Sequence, residues 1–219
     1  CVVSNLVDAA WSGRALAFVP GVVYVDTNAV SGANNGTSWA NAFTTLTNAV
    51  ANAPAGFEIW SARGVHTSAS TVNKAAFNVA SNDLFGGFNS GMNFKSSRDF
   101  VNFETVLSGG NDQRALYKSS ASNIVIDGFT VRNGNLTVTA GDNGGGLYVG
   151  ATGGNTETRN CRFENNSCVN LGGAIYFHNT SGPYHTLSNC VFSGNTTTNG
   201  IGGAIYALDG DTLTVIDCL

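Results

Sequence analysis

The second half of the chain repeats itself every 27 to 30 residues, and this repeat limits the possible folds more than any other feature. One motif surrounds a cysteine, and a second motif begins with Gly-Gly and leads to an aliphatic residue followed by tyrosine. A unit of this size cannot bury its apolar side chains alone, so successive copies must stack on one another. The cysteine motif occurs at Cys161, Cys190 and Cys218, and the Gly-Gly motif begins at Gly145, Gly172 and Gly202.

The pattern inside each copy is typical of β-strands. Short runs such as Leu213-Thr214-Val215 alternate apolar and polar residues between Gly, Asn, Ser or Thr, and the copies show neither a 3.6-residue apolar period nor a leucine consensus. We therefore predict an all-β fold, a right-handed parallel β-helix in which each copy forms one coil of three short strands and three turns. Neighbouring coils are expected to stack in register about 4.8 Å apart.

Stacking in register would place equivalent side chains directly above one another. Phe163 should lie over Phe192 inside the coil. Because neighbouring residues of a strand point to opposite faces, the aliphatic residue of each Gly-Gly motif should point inward and the tyrosine outward. The expected interior row is Leu147, Ile175 and Ile205, and the expected exterior row is Tyr148, Tyr176 and Tyr206.

The composition agrees with such a coil. The 28 Gly and 27 Asn residues suit bends with left-handed backbone. Charged residues make up only 11% of the chain, which fits stacked rows in which like charges would repel each other. The net charge of −4 comes without a basic patch, so we expect no nucleic acid partner. Because no apolar run reaches 18 residues, we expect no membrane span.

The first half is less repetitive and contains a helical segment. Ser38 can cap a helix from Trp39 to Asn52, which Pro54 and Gly56 would end. A helix at this place would shield the first coil of the solenoid. We therefore divide the chain into an N-terminal extension (1–21), an N-terminal cap with a short α-helix (22–56) and β-helix coils (57–219).

Several segments resemble those of known bacterial proteins. Val23-Tyr24-Val25-Asp26 and Leu84-Phe85-Gly86-Gly87-Phe88 are similar to the first coils of secreted right-handed β-helix proteins. Phe163-Glu164-Asn165-Asn166 and Phe192-Ser193-Gly194-Asn195 resemble repeats of the polymorphic outer membrane protein family. The resemblance covers roughly residues 22 to 219. It implies a secreted protein at the cell surface with a structural or adhesive role, and it implies no cofactor.

The cysteines form a separate set of candidates. Cys161, Cys190 and Cys218 should stack at a spacing that a disulfide allows, and they could equally remain buried thiols in an interior row. Cys168 could pair locally or stay free. Since five cysteines are an odd number, Cys1 is a candidate for an intermolecular bond or a modification.

An enzyme that binds or cleaves polysaccharide is the alternative function, because many parallel β-helices degrade acidic polysaccharides. Such sites need clustered acids, and the closest pair here, Asp209 and Asp211, is expected in a turn. We therefore predict neither a catalytic site nor a metal site. His178 and His185 are expected in an exposed loop around Pro183.

Arginine and tyrosine residues could form contact surfaces. Three arginines could line one face of the middle coils or form a solvated edge, and the tyrosine row could contact carbohydrate or protein or simply stack between coils. Glycans and neighbouring cell surfaces are therefore possible partners. The arginines are Arg132, Arg159 and Arg162.

The sequence also suggests self-assembly. Proteins that this chain resembles usually continue through many more coils, whereas this chain stops after Cys218-Leu219 without a polar capping segment. Either a C-terminal portion of a larger adhesin is absent from this chain, or another subunit completes the last coil. We hypothesise that residues 1–20 of one subunit pair with or cover the last coils of the next, giving a head-to-tail homopolymer that a disulfide from Cys1 could lock.

Overall fold

The fold is a parallel β-helix. The computed structural model describes residues 21–69, 72–118, 120–136, 142–150, 154–178, 183–208, 210 and 212–219. Across these residues the strands form four parallel sheets, here called sheets I to IV. From residue 124 onwards the chain passes through sheets I, II, III and IV in turn and then returns to sheet I one coil further along. Among the described residues, the two preceding coils have strands in sheets I, II and IV. This confirms the predicted fold class, and the right hand of the coil stays a prediction.

Successive coils of the β-helix, here called levels, contribute neighbouring strands to each sheet. Sheet I comprises β1 (Val22–Val25), β2 (Glu58–Ala62), β5 (Asp83–Phe88), β8 (Ile124–Asp127), β12 (Thr156–Arg159), β16 (Tyr184–Ser188) and β20 (Thr212–Ile216). Sheet II comprises β3 (Gly64–His66), β6 (Thr105–Ser108), β9 (Phe129–Arg132), β13 (Arg162–Glu164) and β17 (Val191–Ser193). Sheet III comprises β10 (Asn135–Leu136), β14 (Ser167–Cys168) and β18 (Thr196–Thr197). Sheet IV comprises β4 (Ala75–Val79), β7 (Arg114–Lys118), β11 (Leu147–Val149), β15 (Ile175–Phe177) and β19 (Ile205–Ala207).

The coils that include sheet III have four strands and not the predicted three. Its strands are two residues long, which is too short for an alternating pattern to appear in the sequence. Each of them follows a residue with left-handed backbone, namely Asn133 (φ 55°), Asn165 (φ 53°) or Gly194 (φ 65°). Asn and Gly adopt this backbone more readily than other residues do, which explains their recurrence at this corner.

The interior rows follow the predicted register. Phe163 pairs with Phe192, and their rings stack with centroids 5.3 Å apart and planes 9° apart. The aliphatic row continues one level further back than the Gly-Gly motif, to Leu116. All of its members contribute to one apolar core that runs along the coil. The row consists of Leu116, Leu147, Ile175 and Ile205.

The N-terminal helix covers the first coil, but the prediction of one helix from Trp39 to Asn52 was wrong. Ser38 caps only a short 3-10 helix (Trp39–Asn41), and α1 (Leu46–Asn52) has its own N-cap at Thr45. Between them the backbone of Phe43 pairs with β1, because its N–H donates to Tyr24 and its carbonyl accepts from Asp26, both at 2.9 Å. A backbone paired in this way cannot also make helical hydrogen bonds.

The face of α1 towards the coil is apolar. Leu46 and Ala49 are buried in the core, and Val50 and Ala53 pack against it. The short helix therefore closes the N-terminal side of the interior. Within the described part of the chain, no helix is long and apolar enough to cross a membrane.

Candidate functional site

The predicted tyrosines form a continuous row on the outer face of sheet IV. Tyr148 pairs with Tyr176, and Tyr176 pairs with Tyr206, with ring centroids 5.1 and 5.8 Å apart. Tyr117 extends the row, since its ring stacks on Tyr148 at 5.1 Å. Sequence reasoning missed Tyr117 because Gln113-Arg114-Ala115, and not a Gly-Gly pair, comes directly before Leu116, although the dipeptide Leu116-Tyr117 repeats the order of Leu147-Tyr148.

Polar side chains hold the tyrosine row in place. The His178 ring stacks on Tyr176 at 5.5 Å, and its Nδ1 atom shares a hydrogen bond of 2.9 Å with the hydroxyl of Tyr148. The buried Arg114 guanidinium lies 4.7 Å from the centre of the Tyr148 ring. Burial raises the pKa of Tyr148 from its ordinary value of 10.0 to about 12.

The row presents ring edges more than open ring faces. Tyr176 is only 4% exposed, whereas Tyr117, Tyr148 and Tyr206 are half-buried. The Tyr148 ring stacks on Tyr117 with planes 23° apart and meets Tyr176 edge to face at 62°, so neighbouring rings cover part of its surface. A partner would therefore meet the edges and polar groups of the row.

The predicted cysteine column is present as free thiols. Cys161 and Cys190 are buried and Cys218 is half-buried, and none of these three described residues forms a disulfide. Burial raises the pKa of Cys161 and of Cys218 above the ordinary value of a thiol. Cys168 is also a free, buried thiol, and it lies in sheet III beside Leu136 and Thr197. Cys1 lies outside the described residues.

The two histidines do not share an exposed loop, so that prediction was wrong. His185 lies within β16 and is fully buried, with its ring stacked on Phe177 at 4.3 Å. Its inward position follows from the register, which pairs it with Thr156 and Leu213. Burial, together with the nearby charge of Lys118, lowers the pKa of His185 to about 4.

The three arginines do not line one face. Arg159 belongs to sheet I and pairs with Asp127 at 2.8 Å, whereas Arg132 and Arg162 belong to sheet II. Arg162 pairs with Glu164 at 2.6 Å. The acidic pair Asp209 and Asp211 lies outside the described residues. Among the residues that the structure describes, no group of three His, Cys, Asp or Glu side chains could hold a metal ion.

A groove of about 200 Å³ lies outside sheet II, and sequence reasoning did not find it. Its floor is formed by β9, β13 and β17, and its wall by residues 100–104. The wall is anchored where Asp99 N–H donates to the carbonyl of Gly87 at 2.8 Å and where Arg98 binds the Asp127 carboxylate at 2.9 Å. The residues that line the groove include Phe100, Val101, Glu104, Asn160, Arg162 and Asn189.

The fold and these surfaces define a parallel β-helix repeat protein. Two copies of the Chlamydia polymorphic membrane protein repeat match the chain, at residues 160–178 and 189–208. The chain is thus a β-helix protein with repeats like those of the polymorphic membrane proteins. Nothing matches it among curated proteins or among solved structures.

The matched segments coincide with the structural repeats. Each runs from the asparagine before a column cysteine, through sheets II and III, to sheet IV just after the tyrosine. The repeat family is associated with the outer membrane or cell surface, which supports a surface location for this chain, and it is not an enzyme family.

Proposed function

We propose that this protein is a secreted, cell-surface β-helix with an adhesive role. The observation that carries the proposal is the match of two coils to the polymorphic membrane protein repeat. The low proportion of charged residues also fits a surface that contacts other surfaces, because few charges must lose water on contact.

We assign the adhesive contact to the tyrosine row. Tyrosine is enriched at protein contact surfaces because it combines a large apolar ring with a polar hydroxyl. The row extends over four successive levels of sheet IV, from Tyr117 to Tyr206. The stacked neighbours and His178 restrict the side chains, so little conformational entropy is lost on contact.

Adhesion of coated beads tests this proposal. Beads carrying the protein are expected to bind to bacterial and epithelial cells better than albumin-coated beads do. The double variant Tyr117→Ser with Tyr206→Ser should lose most of that binding, since both residues are half-buried and their loss spares the core. Thr186→Ala with Thr214→Ala, a stacked pair on sheet I, is the matched control. Beads that bind no better than albumin-coated beads would contradict an adhesive role.

We also propose head-to-tail association through the 189–219 coil. In the described part of the chain, strands β18, β19 and β20 each have a neighbouring strand on one side only, whereas Leu219 already forms backbone hydrogen bonds on the outer side of β17, to Phe192 at 2.8 Å and Cys190 at 2.9 Å. Leu219 is 87% exposed and Val215 is 51% exposed at this edge. Unpaired strand edges with apolar side chains favour pairing with another coil. In a longer polypeptide the next coil would fill this place, and between separate chains a second copy would.

Negative-stain microscopy and light scattering of the purified chain test this association. Filaments are expected for the full chain and isolated rods for a variant that lacks residues 1–20. Cys1→Ser should leave filaments intact but make them separable by denaturant without reductant. A full chain that stays monomeric at high concentration would overturn the proposal.

A further inference from the structure

We propose that the groove on sheet II binds a neutral saccharide. The groove is formed on another face than the tyrosine row, so this inference does not depend on the adhesive role assigned to that row. It combines an apolar wall with a set of fixed hydrogen-bonding groups, which are the two features that sugar rings require.

A chain of hydrogen bonds fixes which way the amide groups at the floor point. The Asp127 carboxylate can only accept, so Asn160 must present its Nδ2 group to it, at 2.8 Å. This turns the Oδ1 atom of Asn160 towards Asn189, whose Nδ2 donates to it at 2.8 Å. Asn189 is exposed, and its Oδ1 atom is left as the acceptor at the end of the chain. A sugar hydroxyl is a donor suited to this position.

Two further groups add donors and acceptors. Glu104 is exposed and its carboxylate is held in the groove by the Thr130 hydroxyl, at 2.8 Å. Arg162 uses its Nε and Nη2 groups on Glu164, at 2.8 and 2.6 Å, which leaves part of its five-donor fork for a ligand. Carboxylate, amide and guanidinium groups can each bind two neighbouring hydroxyls of a sugar at once.

The wall supplies the apolar surface. Phe100 is half-buried and Val101 is 81% exposed, so both present hydrocarbon to the groove. Gly128 lets the wall approach the floor, because a Cβ atom there would lie 3.3 Å from the Phe100 ring. The C–H faces of a sugar ring can pack against this surface while its hydroxyls reach the floor.

The charges favour a neutral sugar over a uronate. The charged residues that line the groove are Glu104 and Arg162, and the charge of Arg162 is already balanced by Glu164. The local charge is therefore negative, which repels a carboxylate on the ligand.

Calorimetric titration of the purified full chain tests the proposal. The probes are cellotriose, maltotriose and triacetylchitotriose as neutral sugars and trigalacturonate as the charged comparison. At least one neutral trisaccharide should bind with a millimolar or lower Kd, and trigalacturonate should bind more weakly. Failure of all three neutral probes to bind, or a preference for trigalacturonate, would overturn the proposal.

Variants locate the binding. Asn189→Gly removes the acceptor while allowing the left-handed backbone (φ 50°), and it should weaken binding about tenfold. Asn165→Gly, at an exposed asparagine with the same backbone (φ 53°) outside the groove, is the matched control. If Asn189→Gly fails to fold, Glu104→Gln should still weaken binding. Binding unchanged by both variants, or lost in Tyr206→Ser instead, would place the sugar elsewhere and refute this site.

Discussion

Asn166 links three successive levels of the β-helix through one side chain. It is fully buried, its Nδ2 donates to Val131 and to Asn195 at 3.0 Å each, and its Oδ1 accepts from Gly134 at 3.0 Å. Asn195 repeats part of this arrangement by donating to Phe163 at 2.8 Å. Asparagine therefore recurs at this corner because it satisfies backbone groups that the turn would otherwise leave unpaired.

Replacing Asn166 should destabilise the protein strongly. Asn166→Ala leaves the buried N–H of Gly134 and carbonyl of Val131 without partners, and each such group costs about 1 to 3 kcal/mol. We expect the free energy of unfolding to fall by about 2 to 4 kcal/mol, measured by urea denaturation. Asn165→Gly, one residue earlier and exposed, should change it little. Equal losses in both variants would contradict the role assigned to Asn166.

His185 should make stability depend on pH. Its pKa is about 4 in the folded protein and about 6.5 when unfolded. The unfolded chain therefore binds a proton first as the pH falls. Stability is full above about pH 6.5 and decreases from there towards pH 4, with about 2 kcal/mol lost between pH 7 and pH 5.

The variant His185→Leu tests this dependence. Leucine already occupies the equivalent position at Leu213 in the next coil, so the substitution suits the interior. The urea midpoint of the variant should vary less between pH 7 and pH 5, while the contribution of His66, whose pKa burial also lowers, should remain. A midpoint with the same pH dependence as that of the unaltered protein would refute the prediction.

Sheet II contains one pair of stacked rings, those of Phe163 and Phe192. Phe163 is fully buried and lies between Val131 and Phe192 in the register of the sheet. Phe163→Ala should lower the free energy of unfolding by about 3 to 5 kcal/mol through the cavity it leaves. Phe192→Ala should cost less, since Phe192 is half-buried. Val101→Ala is the exposed control, and a larger loss there than at Phe163 would contradict this packing.

Elements that repeat were predictable from the sequence, because each copy confirms the phase of the next. The Gly-Gly motif and the cysteine motif set the register of sheets II and IV, including the pairs Phe163 with Phe192 and Tyr176 with Tyr206. His185 was misplaced because Pro183 suggested a loop. An alignment of Tyr184–Ser188 with Thr212–Ile216 would have shown the same alternation and placed it in a strand.

The groove was not predictable because it joins unlike parts of the chain. Its wall follows β5 in the non-repetitive half, and the ion pair that anchors it connects Arg98 to Asp127 across 29 residues. Asp127 lies in a weak early copy of the repeat, whereas Arg98 belongs to no repeated motif. Only the fold shows that the loop at residues 98–104 lies beside strands β9 and β13.

The whole molecule is a stack of levels whose outer faces differ. Sheet IV presents the tyrosine row, and sheet II presents the groove. Both surfaces exist only if the coils stack in this register, because a slip of one residue would turn each outward row towards the core. The proposed adhesive and saccharide-binding roles therefore depend on the same arrangement of the backbone.

Nuclear Overhauser spectroscopy of the labelled protein tests this register directly. Ring protons of Phe163 and Phe192 should show cross-peaks, since the ring centroids lie 5.3 Å apart, and so should those of Tyr148 and Tyr176 at 5.1 Å. Cross-peaks between these rings would support the in-register β-helix. Their absence from a folded sample, with contacts to residues one position away instead, would contradict it.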